Sequence, residues 1–451
     1  MKQSFKNIVY LIGVVSLFAQ SCKPDEFATF ENPIQDEEIK IIELVSDHKT
    51  VLADGTAEME FRYLAYGIKE VLKLKKETIG KEIVYSEESV LDTFLIPKDR
   101  ISPDFVKVYF ADGRLLANNR YKPEAGEAVT QQFYAKGGAI TSDKLTITIR
   151  KDEVSAGWEE LEIPLMFHLM IPPATVRPTY EASSTILQEK VDYLNRVYNK
   201  IASKDPNGGH AKIKFVLAKY DPKGNLLQER GLRRVNVAEN MNLAGYKTAI
   251  AKELWNPAQY LNIYLCKFAD NWSQTGSSSY IAPMPTMILK GQKAIPGIPA
   301  REVPAWDEKE IKDVTDVSII FSVSEFFNPS QWDSNNANNS FDLSTVIGYH
   351  LGLFQMEAKL KYNSSTGKSE YELFDGDTDY CPDTDVYTGM EFGIYKREYF
   401  EERMFTTFNV MAGSSRKNSI TLDQAARIRE VLEKCPSRWY YKSKWAVTGK
   451  K

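Results

Sequence analysis

The period of hydrophobic and polar positions changes along this chain. A basic start with Lys2 and Lys6 is followed by an apolar run from Ile8 to Ala19. From about 38 to 173 the period is two. Lys144-Leu145-Thr146-Ile147-Thr148-Ile149 alternates with β-branched residues, and Glu58-Met59-Glu60-Phe61-Arg62-Tyr63 does the same. Phe105 to Phe110 and Leu161 to Ile171 are two more apolar runs of strand length. Turn signals at Ala53-Asp54-Gly55, Ala111-Asp112-Gly113 and Lys136-Gly137-Gly138 separate the runs, a pattern that predicts a β-sandwich. Pro172-Pro173 and Arg177-Pro178 mark a boundary. From about 179 the period is helical. Ile186, Leu187, Val191, Leu194, Val197, Tyr198 and Ile201 predict an amphipathic helix over 184–202. Ile213, Phe215 and Leu217 alternate as a strand, and Leu261 to Cys266 reads as another. Residues 341–355 read as a helix, and Thr421-Leu422-Asp423-Gln424 is a capping box opening a last helix to about Lys434. The second half is therefore α+β. No internal repeat is visible.

Length and charge narrow the function classes. A chain of 451 residues suggests two or three domains. With 43% hydrophobic and 26% charged residues it is neither wholly disordered nor a polytopic membrane protein. Lys and Arg number 57 against 61 Asp and Glu, so nothing favours a phosphate backbone and no nucleic-acid partner is expected. Only four His and four Cys occur, which limits metal and thiol chemistry.

The apolar run ends at Ala19-Gln20-Ser21-Cys22, which resembles a bacterial lipobox. The resemblance implies a signal peptide over 1–21, a lipid on Cys22, a polar tether over 22–37, and a soluble body held to a membrane. Lys23-Pro24-Asp25-Glu26 is similar to the export signal of surface lipoproteins in Bacteroidetes, which implies the cell-surface side of the outer membrane. The Ala-Asp-Gly-Thr start before an alternating strand is similar to bacterial immunoglobulin-like domains, so 38–173 is expected to be an immunoglobulin-like β-sandwich.

The second half resembles the pappalysin family of metzincin zinc proteases. Five ordered pieces carry the likeness: the helix with Leu194-Asn195-Arg196; Phe215-Val216-Leu217-Ala218 with Asp221-Pro222-Lys223-Gly224; Trp255-Asn256-Pro257 with Tyr260 to Tyr264; the segment Thr345 to Gln355; and Asn409-Val410-Met411 before the last helix, where the family has its methionine turn. The implied domain spans 179–437, with a tail over 438–451. The resemblance also implies a substrate-binding sheet edge near 260–266. The family motif, HExGHxxGLxH, sets two His one helical turn apart to grip zinc, and a Glu to act as base on the zinc-bound water. Its Gly turns the chain so that a third His returns to the metal. Here Gly348, Leu351, Gly352 and Leu353 keep the frame. Thr345 stands for the first His, Val346 for the Glu, Tyr349 for the second His and Gln355 for the third. Thr, Tyr and Gln are poor zinc ligands beside imidazole, and Val cannot carry a proton. His350 lies about 100° round the helix from Tyr349 and cannot serve the same face. Zinc is therefore not expected, and no catalytic residue is assigned.

Other groups are weaker. Asp375, Asp377, Asp379, Asp383 and Asp385 offer oxygen ligands to a calcium ion, against the plainer reading of a solvated acidic loop. The spacing fails as an EF-hand, with Tyr380 where Gly is needed. Calcium is the one cofactor candidate. Cys266, Cys381 and Cys435 allow one disulfide whose pairing is open. His168, in an apolar strand, reads as a packed residue. The fold expected is an α+β metzincin-like protease domain preceded by an all-β immunoglobulin-like sandwich. The function expected is a surface-anchored, non-catalytic pseudoprotease that binds a peptide or protein in its former cleft. Two alternatives stay open: an active zinc-dependent metalloprotease with unforeseen ligands, and an adhesin or glycan-binding lipoprotein.

Overall fold

Between residues 41 and 150 most of the described chain is strand, as the alternation of apolar and polar positions there dictates. The computed structural model describes residues 38–446, apart from 80–81, 127–128, 174–181, 204, 240, 268–279, 328–342, 357–359, 364–367, 372–378, 385–386, 392–393, 398–403, 406–407 and 413–416. The strands are β1 (Ile41–Ser46), β2 (Thr50–Leu52), β3 (Met59–Ile79), β4 (Glu82–Leu95), β5 (Val106–Phe110), β6 (Arg120–Tyr121), β7 (Thr130–Gly137), β8 (Ile140–Thr141) and β9 (Leu145–Arg150). One sheet has the order β1-β3-β4 with β6 on β3; a second has the order β2-β9-β7-β5 with β8 on β7. Phe61 of the first meets Phe133 of the second at 4.6 Å between ring centroids. Phe110 and Tyr121 close on the same ring at 5.1 and 5.0 Å. Such large rings carry much of the apolar burial in a small two-layer core.

The chain divides into two units, one holding 63–107, 135–143 and the chain up to 43, the other holding 44–62, 108–134 and 144–451. The smaller is dominated by the hairpin of β3 and β4, registered from Tyr66 opposite Leu95 to Ile79 opposite Glu82.

The larger unit contains a six-stranded sheet of β10 (Leu161–Ile171), β11 (Ile213–Leu217), β12 (Leu232–Asn236), β13 (Leu261–Cys266), β14 (Tyr280–Ile281) and β17 (Ile319–Ser322), ordered β11-β10-β13-β17-β14 with β12 also on β10. A separate parallel pair, β15 (Met287–Leu289) and β16 (Arg301–Val303), lies between β14 and β17 in sequence. β10 is parallel to β11, β12 and β13, while β14 runs antiparallel to β17. Two expectations change here. Leu161–Ile171 does not close the first β region at 173; it pairs within the sheet of the second half. A continuous apolar run marks a strand covered on both faces, as parallel strands are, but does not say which strands flank it. Leu261–Cys266 is likewise no sheet edge. It lies between β10 and β17 with all six residues buried.

Among the described residues the unit has four helices of eight residues or more: α1 (Ser184–Tyr198), α2 (Leu243–Glu253), α3 (Leu343–His350) and α4 (Leu422–Lys434). The Ser183 hydroxyl caps α1 by accepting from Ile186 N at 3.3 Å. That helix stops short of the expected 202, because Lys200 turns into the left-handed region at φ +56°. Leu187, Val191 and Leu194 of α1 share one core with Ile263, Ile319, Val346 and Ile347. The predicted capping box of α4 forms in full. Polar contacts join early strands to this core. Leu52 N donates to Pro206 O at 3.0 Å, Lys200 pairs with Asp54, and Arg150 bridges Asp383 and Asp423 at 2.9 and 2.8 Å.

Candidate functional site

Helix α3 runs through the core, with Val346 and Ile347 buried, and the chain reverses at Gly352, where φ is +89°. A β-carbon there would meet Val431 Cγ2 at 2.7 Å, so conformation and packing both require glycine. Arg427 Nε donates to Gly352 O at 2.6 Å and holds the turn. The reversal returns Gln355 to the helix, and the Tyr349 hydroxyl donates to Gln355 Oε1 at 3.3 Å. The helix thus does end early, before the 355 expected, for the reason the glycine implied.

The segment Asn409-Val410-Met411 packs under the helix. A β-carbon at Gly348 would stand 2.7 Å from Met411 Sδ and 3.3 Å from the Tyr198 hydroxyl. The Thr345 hydroxyl donates to Val410 O at 2.7 Å. Met411 N donates to Asn409 Oδ1 at 2.9 Å, and the Asn409 and Gln424 side-chain amides exchange bonds of 2.8 and 3.1 Å. On the other side, the Tyr280 ring of β14 stacks on Tyr349 at 6.3 Å between centroids. Tyr280, Tyr349 and Gln355 are partly open to solvent, whereas Thr345 and Val346 are buried.

This arrangement brings together Thr345, Tyr349, Gln355 and Met411, the residues singled out by motif position. Tyr280 was missed, because a two-residue strand has no period of its own to read. The donor set does not fit zinc. Thr345 spends its hydroxyl on Val410, Val346 has no side-chain donor atom, and Tyr349 and Gln355 bond each other. Among the described residues, no three His, Cys, Asp or Glu side chains gather as a metal-holding group. No zinc-borne step follows from these residues.

His350 points elsewhere. It is buried, and its Nε2 lies 2.7 Å from the Tyr440 hydroxyl. Burial, aided by the Arg438 charge, holds its protonation well below the ordinary histidine range. Arg438 is itself fully buried, donating from Nε to His350 O at 3.0 Å and from Nη2 to Pro283 O and Asp316 O. The aromatic tail thereby docks on α3. His168 is a packed residue. It stacks on Tyr264 at 4.4 Å, and its Nε2 meets Asn262 Oδ1 at 3.0 Å.

Of the five acidic-loop carboxylates, Asp375, Asp377 and Asp385 lie outside the described residues. Asp379 accepts from Cys381 N and the Thr384 hydroxyl. Asp383 accepts from Arg150, the Thr421 hydroxyl at 2.6 Å and Asp423 N at 3.0 Å. Asp383 therefore knits β9 to the start of α4, with a guanidinium already in the place of a cation. Burial, and then the Asp423 charge, raises its pKa; burial raises that of Asp379 to about 6. Cys266, Cys381 and Cys435 are all buried free thiols, so no disulfide joins them. Burial, with Asp379 and Asp383 adding, pushes the Cys381 thiol far up, the opposite of an activated nucleophile.

Comparison of the sequence finds no matching family model and no matching curated protein. Among solved structures, a mutant of Tannerella forsythia promirolysin is similar at 17% identity and a TM-score of 0.41, over 63% of this chain and 85% of that one.

Proposed function

We propose that this chain is a lipid-anchored surface protein whose second half keeps a pappalysin-like frame without its catalysis, and that it binds a peptide or protein segment beside α3. One observation supports this reading most. The residues at the three ligand positions, Thr345, Tyr349 and Gln355, bond protein partners rather than present imidazoles.

The short strand β14 supports the binding half of the proposal. It is the last strand on its side of the sheet among the described residues. An extended segment adds to such an edge through backbone hydrogen bonds, and side-chain pockets then select the sequence. Tyr280 and Tyr349, stacked at that edge, offer the aromatic surface on which a guest side chain rests. The anchor part rests on the lipobox-like Ala19-Gln20-Ser21-Cys22.

The test is a peptide array probed with the purified protein, followed by titration of the hits. Binding that Tyr280→Ala weakens at least tenfold, with the peptide left intact, is the expected result. Zinc-dependent cleavage of a peptide by the wild type, reduced by Gln355→Ala, overturns the reading. Lipid labelling lost in Cys22→Ala checks the anchor.

A further inference from the structure

Among the described residues, the β3–β4 hairpin carries an apolar face that is exposed. Residues opposite each other in an antiparallel pair share a face, and so do alternate residues along a strand. The register pairs Tyr66 with Leu95, Ile68 with Thr93, Glu70 with Leu91, Leu72 with Ser89, Leu74 with Glu87 and Lys76 with Tyr85. Ile68, Leu72, Leu74, Tyr85, Leu91 and Leu95 therefore stand on one face. All six are exposed, from 44% for Ile68 to 76% for Leu91. The opposite face holds Val71 and Val90, both only partly exposed, and Phe94 folded over Gly67. A sequence that alternates this way is built to bury one side, and a two-stranded ribbon alone is at best marginal in water.

We infer that this face packs against the same face of a second copy of the chain. The area fits. At about 200 Å² per fully exposed large residue, the six expose on the order of 800 Å², the amount each partner contributes to a standard stable interface. Face-to-face stacking turns two ribbons into a two-layer, four-stranded unit, which is the usual way a sheet covers its apolar side. The charges allow it. Glu70 and Glu87 are both exposed and lie in different cross-strand rows, each opposite a leucine. On a ribbon two strands wide every row borders solvent, so these carboxylates stay hydrated while the leucines meet. The same two carboxylates speak against a bilayer as the cover, since acidic groups are repelled by anionic lipid and resist entry into hydrocarbon.

The full chain in a density-matched detergent should sediment as two copies at micromolar concentration. Leu72→Glu with Leu91→Glu should sediment as one, with an unchanged far-UV spectrum and thermal transition. In intact cells, Leu72→Cys should give a dimer band on non-reducing gels that Leu115→Cys, an exposed position elsewhere, does not. A wild type that stays single at tens of micromolar overturns the inference, as does equal cross-linking at 72 and 115. Binding of single wild-type copies to phosphatidylethanolamine–phosphatidylglycerol vesicles, lost in the double variant, overturns it in favour of the bilayer.

Discussion

The Tyr349 hydroxyl and Gln355 Oε1 lie 3.3 Å apart, across the turn that Gly352 makes possible. Six residues separate them in sequence, and the helix end folds the second back on the first. The turn brings these two positions together, and the groups at them serve each other.

The proposed zinc-protease frame can be tested by refilling it. Replacing Thr345, Tyr349 and Gln355 by His and Val346 by Glu should yield close to one zinc per chain by elemental analysis, against a value near zero for the wild type purified without affinity metal. The change removes the Thr345–Val410 bond, worth about 1 kcal/mol. A refilled protein that folds and holds no zinc would show that the three positions do not converge closely enough to form a site.

Gly348 and Met411 should be coupled. Gly348→Ala drives a β-carbon to 2.7 Å from Met411 Sδ in a closed core, so it should cost about 1–3 kcal/mol in chemical denaturation. Adding Met411→Ala should cost less in that background than alone, because the cavity it leaves receives the new methyl. Simple additivity in the four-way cycle contradicts the contact.

Tyr440→Phe should loosen the tail. It deletes the 2.7 Å bond to His350 Nε2 and leaves that nitrogen buried without it. A loss of about 1–3 kcal/mol is expected, with faster trypsin cleavage at Lys442 and Lys444. Unchanged cleavage would mean that Arg438 alone holds the tail down.

Asp379 sets a pH dependence with a definite sign. Its pKa in the fold is raised from 3.8 to about 6 by burial. The folded state therefore holds the proton more tightly than the unfolded chain. That contribution is complete below pH 3.8 and is lost as pH rises through 6, at a cost of about 3 kcal/mol. The buried His168 and His350 act in the other direction, losing stability on acidification below the ordinary histidine range. The comparison must therefore be between variants. Between pH 4 and 7, Asp379→Asn should gain thermal stability relative to wild type as pH rises. Parallel curves for the two proteins would remove Asp379 from the account.

Much of this was written locally. The apolar spacing of Leu187, Val191 and Leu194 describes one face of α1, and the capping box at Thr421 and Gln424 sets the start of α4. The chemistry at Thr345, Val346, Tyr349 and Gln355 is a matter of residue type, and so is the scarcity of histidine. Glycine at 352 announces a reversal, because few other residues tolerate that backbone. These properties belong to single residues or to short windows, so the sequence by itself determined them.

Partnership across the chain was decided elsewhere. The run Leu161–Ile171 signals burial on both faces, but its neighbours β11, β12 and β13 lie from about 40 to 100 residues away. Leu261–Cys266 carries the same signal, and only the pairing with β10 and β17 makes it central rather than an edge. The stacking of Tyr280 on Tyr349 joins a two-residue strand to a helix 69 residues on. The bond of Asp383 to Arg150 spans 233 residues, and it converts a would-be cation ligand into a structural anion. Periodicity reports how much of a residue is covered; it has no term for what covers it, and that is fixed only when distant segments close on one another in the tertiary structure.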